Sequence, residues 1–164
     1  MAASISAGAP AAEREFVVTG QRELVLTRIF DAPRQLVFKA WTEPERAARW
    51  WGPQGFTLLS CEMDVRAGGT WRRRMRSPDG KTICKHGVYR EVVPPELLVF
   101  TYADEDADGH AGHATLVTVS FAEQDGKTKL TLHQAAFNSI AARDGHRGGW
   151  ISCLERFAEY LANA

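Results

Sequence analysis

The stretch GWISCLERFAEYLA, residues 149–162, decides the fold of this chain. Its apolar residues recur with the spacing i, i+3, i+4, i+7, i+8 and i+11, which places them on one face of an α-helix. These positions are Trp150, Cys153, Leu154, Phe157, Ala158 and Leu161. The pattern predicts a long C-terminal helix that begins near Trp150, with an apolar face that another part of the chain must cover.

The middle of the chain has the alternation of an antiparallel meander. Turn signals such as Gly68-Gly69, Pro94-Pro95 and Asp125-Gly126 separate short alternating segments. Consecutive strands joined by such short links must be antiparallel neighbours. The predicted strands are 23–30, 56–63, 69–77, 81–93, 96–103, 114–122 and 127–134.

Two short helices are predicted between the first strand and this meander. Asp31 is placed as the N-cap of the first helix, and Thr42 with Glu45 fits a capping box that opens the second helix, 44–51. Six or seven strands and one apolar helix have an economical arrangement, in which the sheet wraps the helix. The sequence therefore predicts an α+β domain over residues 23–164, with residues 1–22 as a flexible N-terminal tail.

Composition narrows the functional classes. The 164 residues include 20 Lys and Arg against 20 Asp and Glu, so no overall field favours nucleic acid or a charged membrane. Three cysteines without a CxxC motif indicate a reduced compartment and no zinc site. No apolar run approaches the roughly 18 residues that span a bilayer. We expect a cytoplasmic protein without membrane insertion, metal or cofactor.

Several strings occur in a familiar order: FDAPRQLVFKAWTEPERAARWWGP (30–53), DVRAGGTWR (64–72), MRSPDG (75–80), GVYREVVPPELLVFT (87–101) and a final segment from HRGGW to YL (146–161). Together they resemble bacterial stand-alone proteins similar to the C-terminal domain of the heat-shock-protein-90 ATPase activator. That family belongs to the START-like superfamily, also called SRPBCC or helix-grip. The resemblance implies a curved antiparallel sheet that grips the last helix, with a cavity between them.

The resemblance also sets the range of functions. Members of the wider superfamily bind lipids, steroids, polyketides or aromatic molecules, and a minority are cyclases or components of hydroxylating systems. A co-chaperone role would rest on the fold alone, which is weak support for a function.

Arg73 is the most unusual residue on the predicted inner face. Strand alternation places it with Trp71 and Met75, facing the cavity. Proteins that this chain resembles carry an aromatic or aliphatic side chain there. The guanidinium either holds a carboxylate or phosphate of a ligand, pairs with an internal carboxylate such as Glu91, or extends to the rim of the cavity.

Other inward polar and aromatic residues have two readings each. Gln134 and Glu91 either orient a ligand or satisfy buried polar groups. Trp50 and Trp51 either ring a cavity mouth together with Trp150 or fill the core. His146, four residues before Trp150, is either an acid or base at the cavity edge or a local helix-start hydrogen-bonding residue.

The sequence favours binding of a small, largely apolar molecule of the lipid, polyketide or aromatic acid type. One alternative is a cyclase or hydrolase in the same cavity, with Glu91 or His146 as the titratable group. Another is a co-chaperone-like module that stimulates an ATPase through an exposed patch. Homodimerisation is the default expectation, and no residue is assigned a catalytic role. The predicted cavity lining is Trp50, Trp51, Trp71, Arg73, Met75, Tyr89, Glu91, Gln134, His146, Trp150, Cys153, Leu154 and Phe157.

Overall fold

The computed structural model describes residues 2–5, 14–19 and 22–164. The strands are β1 (Ala2–Ile5), β2 (Arg14–Thr19), β3 (Leu24–Phe30), β4 (Thr57–Met63), β5 (Thr70–Arg76), β6 (Thr82–Val93), β7 (Leu97–Glu105), β8 (Thr115–Gln124) and β9 (Lys127–Ala135). The helices are α1 (Arg34–Thr42), α2 (Pro44–Ala47) and α3 (Ile140–Ala162). None of the helices in these ranges is long and apolar enough to cross a bilayer.

Within the described ranges the strands form one antiparallel sheet in the order β1-β2-β3-β9-β8-β7-β6-β5-β4. Consecutive strands from β4 to β9 pair as hairpins, and β3 pairs with β9, so that Leu26 lies opposite Leu132. The predicted α+β fold, a curved antiparallel sheet around a long C-terminal helix, is confirmed. All seven predicted strands are present, as β3 to β9.

The flexible tail over residues 1–22 stays a prediction. The backbone of β1 and β2 is described there and extends the sheet next to β3. The remaining positions of that segment, apart from residue 22, lie outside the described residues.

Two β-bulges interrupt the register of the sheet, one between Leu58 and Ser60 and one between Tyr89 and Glu91. A bulge bends its strand and increases the local twist, which helps the sheet curve. It also shifts the alternation of side chains by one residue. Tyr89 is therefore buried whereas Glu91 is exposed, so the prediction that Glu91 faces inward is wrong.

The start of the last helix also differs from its prediction. α3 begins at Ile140, well before Trp150, and the Ser139 hydroxyl caps it by accepting a 3.0 Å hydrogen bond from the Ala142 amide. The first half of this helix carries few large apolar residues, so hydrophobic spacing alone misses it.

The predicted caps of the two early helices are wrong. α1 begins after Pro33 and α2 after Glu43, and neither start has a side-chain cap; Asp31 is not the N-cap. The Thr42 hydroxyl is already used within α1, where it donates to the Phe38 carbonyl at 2.9 Å. α2 ends at Ala47 rather than at residue 51.

The core lies between the sheet and the C-terminal half of α3. Phe157 is fully buried there, with its ring centroid 4.4 Å from that of Trp50 and 5.0 Å from that of Phe30. Trp41 of α1 packs against the same ring at 6.1 Å. This half of the helix packs into the core inside the sheet.

Candidate ligand-binding cavity

A cavity of about 380 Å³ lies beneath the N-terminal half of α3. The helix contributes Ala142, Gly145, His146, Gly149, Trp150 and Cys153. The sheet contributes Met75, Ile83, Lys85, Tyr102 and Asp104. The segment after α2 closes the remaining side with Trp51, Gly52, Pro53 and Phe56.

Small residues on α3 create this space. Ala142, Gly145 and Gly149 recur at helical spacing along the face that looks onto the cavity. One to two turns further on, Leu154 and Phe157 are buried in the core. The first half of the helix therefore borders the cavity, and the second half packs in the core against the sheet.

The segment that carries Trp51 is held against the helix by hydrogen bonds. Arg156 of α3 donates to the carbonyl oxygens of Trp51 at 3.1 Å and Gly52 at 3.0 Å. Gly52 has a φ of +100°, and a Cβ there would lie 2.9 Å from the Met75 sulfur. Only glycine allows this close approach without strain, so the segment and β5 meet at the cavity.

His146 places one ring nitrogen at the polar end of the cavity. Its Nδ1 lies 2.9 Å from the Ala142 carbonyl oxygen, which can only accept, so Nδ1 carries the proton. Burial lowers the pKa of His146, and the hydrogen bond to Ala142 partly opposes this effect. The charges of Lys85, which lowers the pKa, and Asp104, which raises it, have smaller effects. The neutral ring leaves Nε2 as an acceptor, without a hydrogen bond to any described residue.

Tyr102 supplies a donor beside His146, with its ring centroid 5.5 Å from the imidazole. Burial raises the pKa of the Tyr102 hydroxyl well above its ordinary value, so the group stays protonated. Lys85 and Asp104 form an ion pair at the same end; the Lys85 side chain is 16% exposed and that of Asp104 60%. The polar end thus offers a neutral donor, a neutral acceptor and a balanced ion pair.

Gln134 does not reach the cavity; it anchors the helix to the sheet. Its Oε1 accepts a 2.8 Å hydrogen bond from Trp150 Nε1, and its Nε2 donates to the Thr115 hydroxyl at 2.8 Å. Thr115 in turn donates to the Tyr102 carbonyl at 2.9 Å. All the polar atoms of the Gln134 side chain are engaged, which favours the structural reading of this residue.

Arg73 is buried on the inner face, as its strand phase predicts, but it does not line the cavity. Its Cζ lies 3.8 Å from the ring centroid of Trp51 and 4.8 Å from that of Trp71. The alternative prediction, pairing with Glu91, is wrong because Glu91 points to solvent.

Of the predicted lining, the structure brings Trp51, Met75, His146, Trp150 and Cys153 to the cavity. The others lie elsewhere. Trp50, Leu154 and Phe157 are in the core, and Trp71 and Tyr89 are buried at the neighbouring part of the sheet. Trp50 donates to the Ala40 carbonyl and Trp71 to the Thr101 carbonyl, so each indole is satisfied within the fold.

Sequence reasoning missed Lys85 and Tyr102 among the lining residues. A signal for Lys85 was present, since Ile83 and Lys85 are in phase with inward Tyr89 along β6. The glycines of α3 gave none, because a residue without a side chain shows no hydrophobic period.

Residues 31–162 match the family described as activator of Hsp90 ATPase homolog 1-like protein. The chain belongs to this family. As the sequence resemblance implied, the family is part of the START-like, or SRPBCC, superfamily. No curated protein matches the chain.

Solved structures of several bacterial proteins share this fold. The AHSA1 protein of Silicibacter pomeroyi is 26% identical, with a TM-score of 0.77 over 85% of this chain and 97% of that one. A Rhizobium leguminosarum protein is 25% identical, with a TM-score of 0.74 over 87% and 95%. A Rhodobacter sphaeroides protein at 22% identity has a TM-score of 0.78 over 93% and 100%, which shows the fold alone. This member of the AHSA1-like family therefore spans nearly the full length of its structural relatives.

Proposed function

We propose that this AHSA1-like protein binds a small, largely apolar molecule of the lipid, polyketide or aromatic type in the cavity beneath α3. The cavity itself supports this. Its volume of about 380 Å³ falls in the range of roughly 300–1,000 Å³ typical of ligand pockets. Its walls are mainly apolar, so binding would come from apolar area removed from water, roughly 25 cal/mol per Å² before ordering costs.

The polar end of the cavity favours a ligand with one hydroxyl or carbonyl group. The Tyr102 hydroxyl can donate to a ligand oxygen, and His146 Nε2 can accept from a ligand hydroxyl. A single ligand hydroxyl has both capacities. Lys85 and Asp104 already neutralise each other, so this end does not by itself select a charged molecule.

The composition of α3 supports access to the cavity. Gly145, Gly148 and Gly149 all lie in the first half of the helix, and each glycine lowers helix stability by about 1 kcal/mol relative to alanine. The half that covers the cavity is therefore less stable than the half packed in the core, and local opening there would admit a ligand.

A substitution that fills the cavity tests whether the ligand binds there. A Cβ at Gly145 or at Gly148 meets nothing within 4 Å, yet only Gly145 lines the cavity. We expect Gly145→Leu to weaken binding of a neutral probe such as 2-naphthaleneethanol at least tenfold, and the matched control Gly148→Leu to bind as the wild type does. Native mass spectrometry and thermal shift report the binding. Failure of the wild type to bind any aromatic or aliphatic probe, whether alcohol or acid, would contradict the proposal.

Catalysis in the same cavity is a second candidate, supported by the position of His146 beside Tyr102. A covalent mechanism through the nearby thiol is disfavoured, because burial raises the pKa of Cys153 to about 12. General acid–base chemistry of the cyclase or hydrolase type is the form that fits. Turnover of 4-nitrophenyl butyrate that disappears in His146→Asn would support a hydrolase; turnover equal in both proteins would refute it.

The co-chaperone alternative rests on family membership. The contact patch for this alternative would be the arginines on the exposed face of β5, and these are partly neutralised, since Arg72 forms two 3.0 Å hydrogen bonds with Glu105. Arg74 and Arg76 remain exposed on the same strand. Stimulation of a chaperone ATPase by the wild type and its loss in an Arg74→Ala, Arg76→Ala double variant would favour this alternative over cavity binding.

A further inference from the structure

Arg73 carries a buried positive charge that no carboxylate of the described residues neutralises. The residue is 3% exposed. It forms no ion pair within the described part of the chain, and its Nε has no hydrogen-bond partner there. Nη2 donates to the Met63 sulfur at 3.2 Å, and the neutral Tyr89 hydroxyl is another polar group in contact with the guanidinium. A thioether is a weak acceptor. Buried arginine is ordinarily paired with an acid, so this guanidinium is poorly satisfied.

The groups around Arg73 stabilise the cation without neutralising it. The faces of Trp51 and Trp71 lie within cation–π distance of the guanidinium. Tyr89 is also close to Arg73, and burial raises the pKa of its hydroxyl while Arg73 opposes this, so it stays neutral. The surroundings therefore hold a planar cation in place and leave it without a counter-charge.

The position of Arg73 links it to the cavity. Met75, the next inward residue of β5, lines the cavity, and Trp51 contacts Arg73 and lines the cavity as well. Trp51 thus borders both the guanidinium and the space beneath α3. Met63, whose sulfur contacts Nη2, has a flexible side chain that can change rotamer to make room for an acidic group.

We infer that Arg73 binds the carboxylate or phosphate of the molecule that occupies the cavity, which makes the ligand an amphipathic acid. This inference rests on the proposed function and adds the chemical class of the ligand. A guanidinium binds such groups through two parallel hydrogen bonds. Nε and one Nη form the fork that a carboxylate matches, and Nε is the atom that the fold leaves free.

A matched pair of probes separates the acid from the apolar body. 2-Naphthylacetic acid and 2-naphthaleneethanol share their ring system and differ in the acidic group. We expect the wild type to bind the acid at least tenfold more tightly by calorimetry. Arg73→Met should lose this preference and still bind the alcohol. The control Arg76→Met, on the exposed face of the same strand, should keep the preference.

A second measurement uses the wild type alone, in case Arg73→Met does not fold. The Nε–H resonance of Arg73, assigned by nitrogen-15 NMR, should move downfield on addition of the acid and stay in place with the alcohol. An acid that binds no tighter than the alcohol, with an unmoved Nε–H signal, would overturn the inference and leave the proposed function standing. If neither probe binds, the proposed function fails and the inference fails with it.

Discussion

Trp150 Nε1 donates a 2.8 Å hydrogen bond to Gln134 Oε1, and both side chains are buried. This bond joins α3 to β9 at the boundary between the open and the filled halves of the helix. Through Thr115 the same chain of hydrogen bonds reaches the backbone of β7. A polar residue inside the sheet therefore sets where the helix lies over the cavity.

Gln134→Leu tests that bond. Leucine fills similar space but leaves the buried indole N–H without an acceptor, so we expect the free energy of unfolding to fall by about 2 kcal/mol in urea titrations. Trp150→Phe in the Gln134→Leu background should cost less than Trp150→Phe in the wild type, because the orphaned donor is gone. Additive losses in this double-mutant cycle would show that the two residues do not interact.

Phe157→Ala tests the filled half of α3. The ring is fully buried between Phe30 and Trp50, so its loss should lower the free energy of unfolding by about 3–5 kcal/mol. Ile151, which is 43% exposed on the same helix, is the control; Ile151→Ala should change it by about 0.5 kcal/mol or less. A similar small change for Phe157→Ala would mean that this half of the helix is not the core.

Gly87→Ala tests how closely the strands approach. An added Cβ would lie 1.8 Å from the Thr101 carbonyl oxygen and 2.6 Å from Trp71 Nε1, two atoms that share a 3.1 Å hydrogen bond. We expect a loss of about 3 kcal/mol, since the carbonyl belongs to the adjacent strand and cannot yield easily. Gly148→Ala, in open space on α3, should instead stabilise by about 1 kcal/mol. Equal effects of the two alanines in thermal unfolding would contradict this geometry.

His146 should make stability depend on pH. Its pKa is lowered in the folded state by burial, whereas the unfolded chain takes up the proton near pH 6.5. Below that pH the unfolded state binds more protons than the native state, so stability is full above about pH 6.5 and falls as the pH drops toward the folded pKa.

The comparison that isolates this effect is His146→Asn, whose side-chain N–H can still reach the Ala142 carbonyl. Urea unfolding between pH 7.5 and 5.5 should show a shallower loss of stability in this variant than in the wild type. His110→Asn, at an exposed histidine of the β7–β8 loop, should retain the wild-type slope. Equal slopes for all three proteins would show that His146 titrates as it does in the unfolded chain.

Several features of the structure were predicted correctly from the sequence. Trp150, Cys153 and Phe157 were identified by spacing alone, because a helix repeats every 3.6 residues whatever it packs against. The seven strands from β3 to β9 were also found from local signals, because the side chains of a strand alternate with period two and turn residues mark its ends. The inward direction of Arg73 and Gln134 also followed from strand phase.

Only the tertiary structure decided what those side chains meet. The bulge after Tyr89 turns Glu91 to solvent. A bulge arises where β6 pairs with β7, so it cannot be predicted from the sequence of one strand. Arg73 contacts Trp51 but does not itself line the cavity, whereas Lys85, Tyr102 and His146 reach it from three elements. A sequence by itself determines periodicity, and hence the fold and the facing of residues in regular strands and helices. Contacts between distant segments determine where that regularity breaks and whether an inward residue borders a space or fills one.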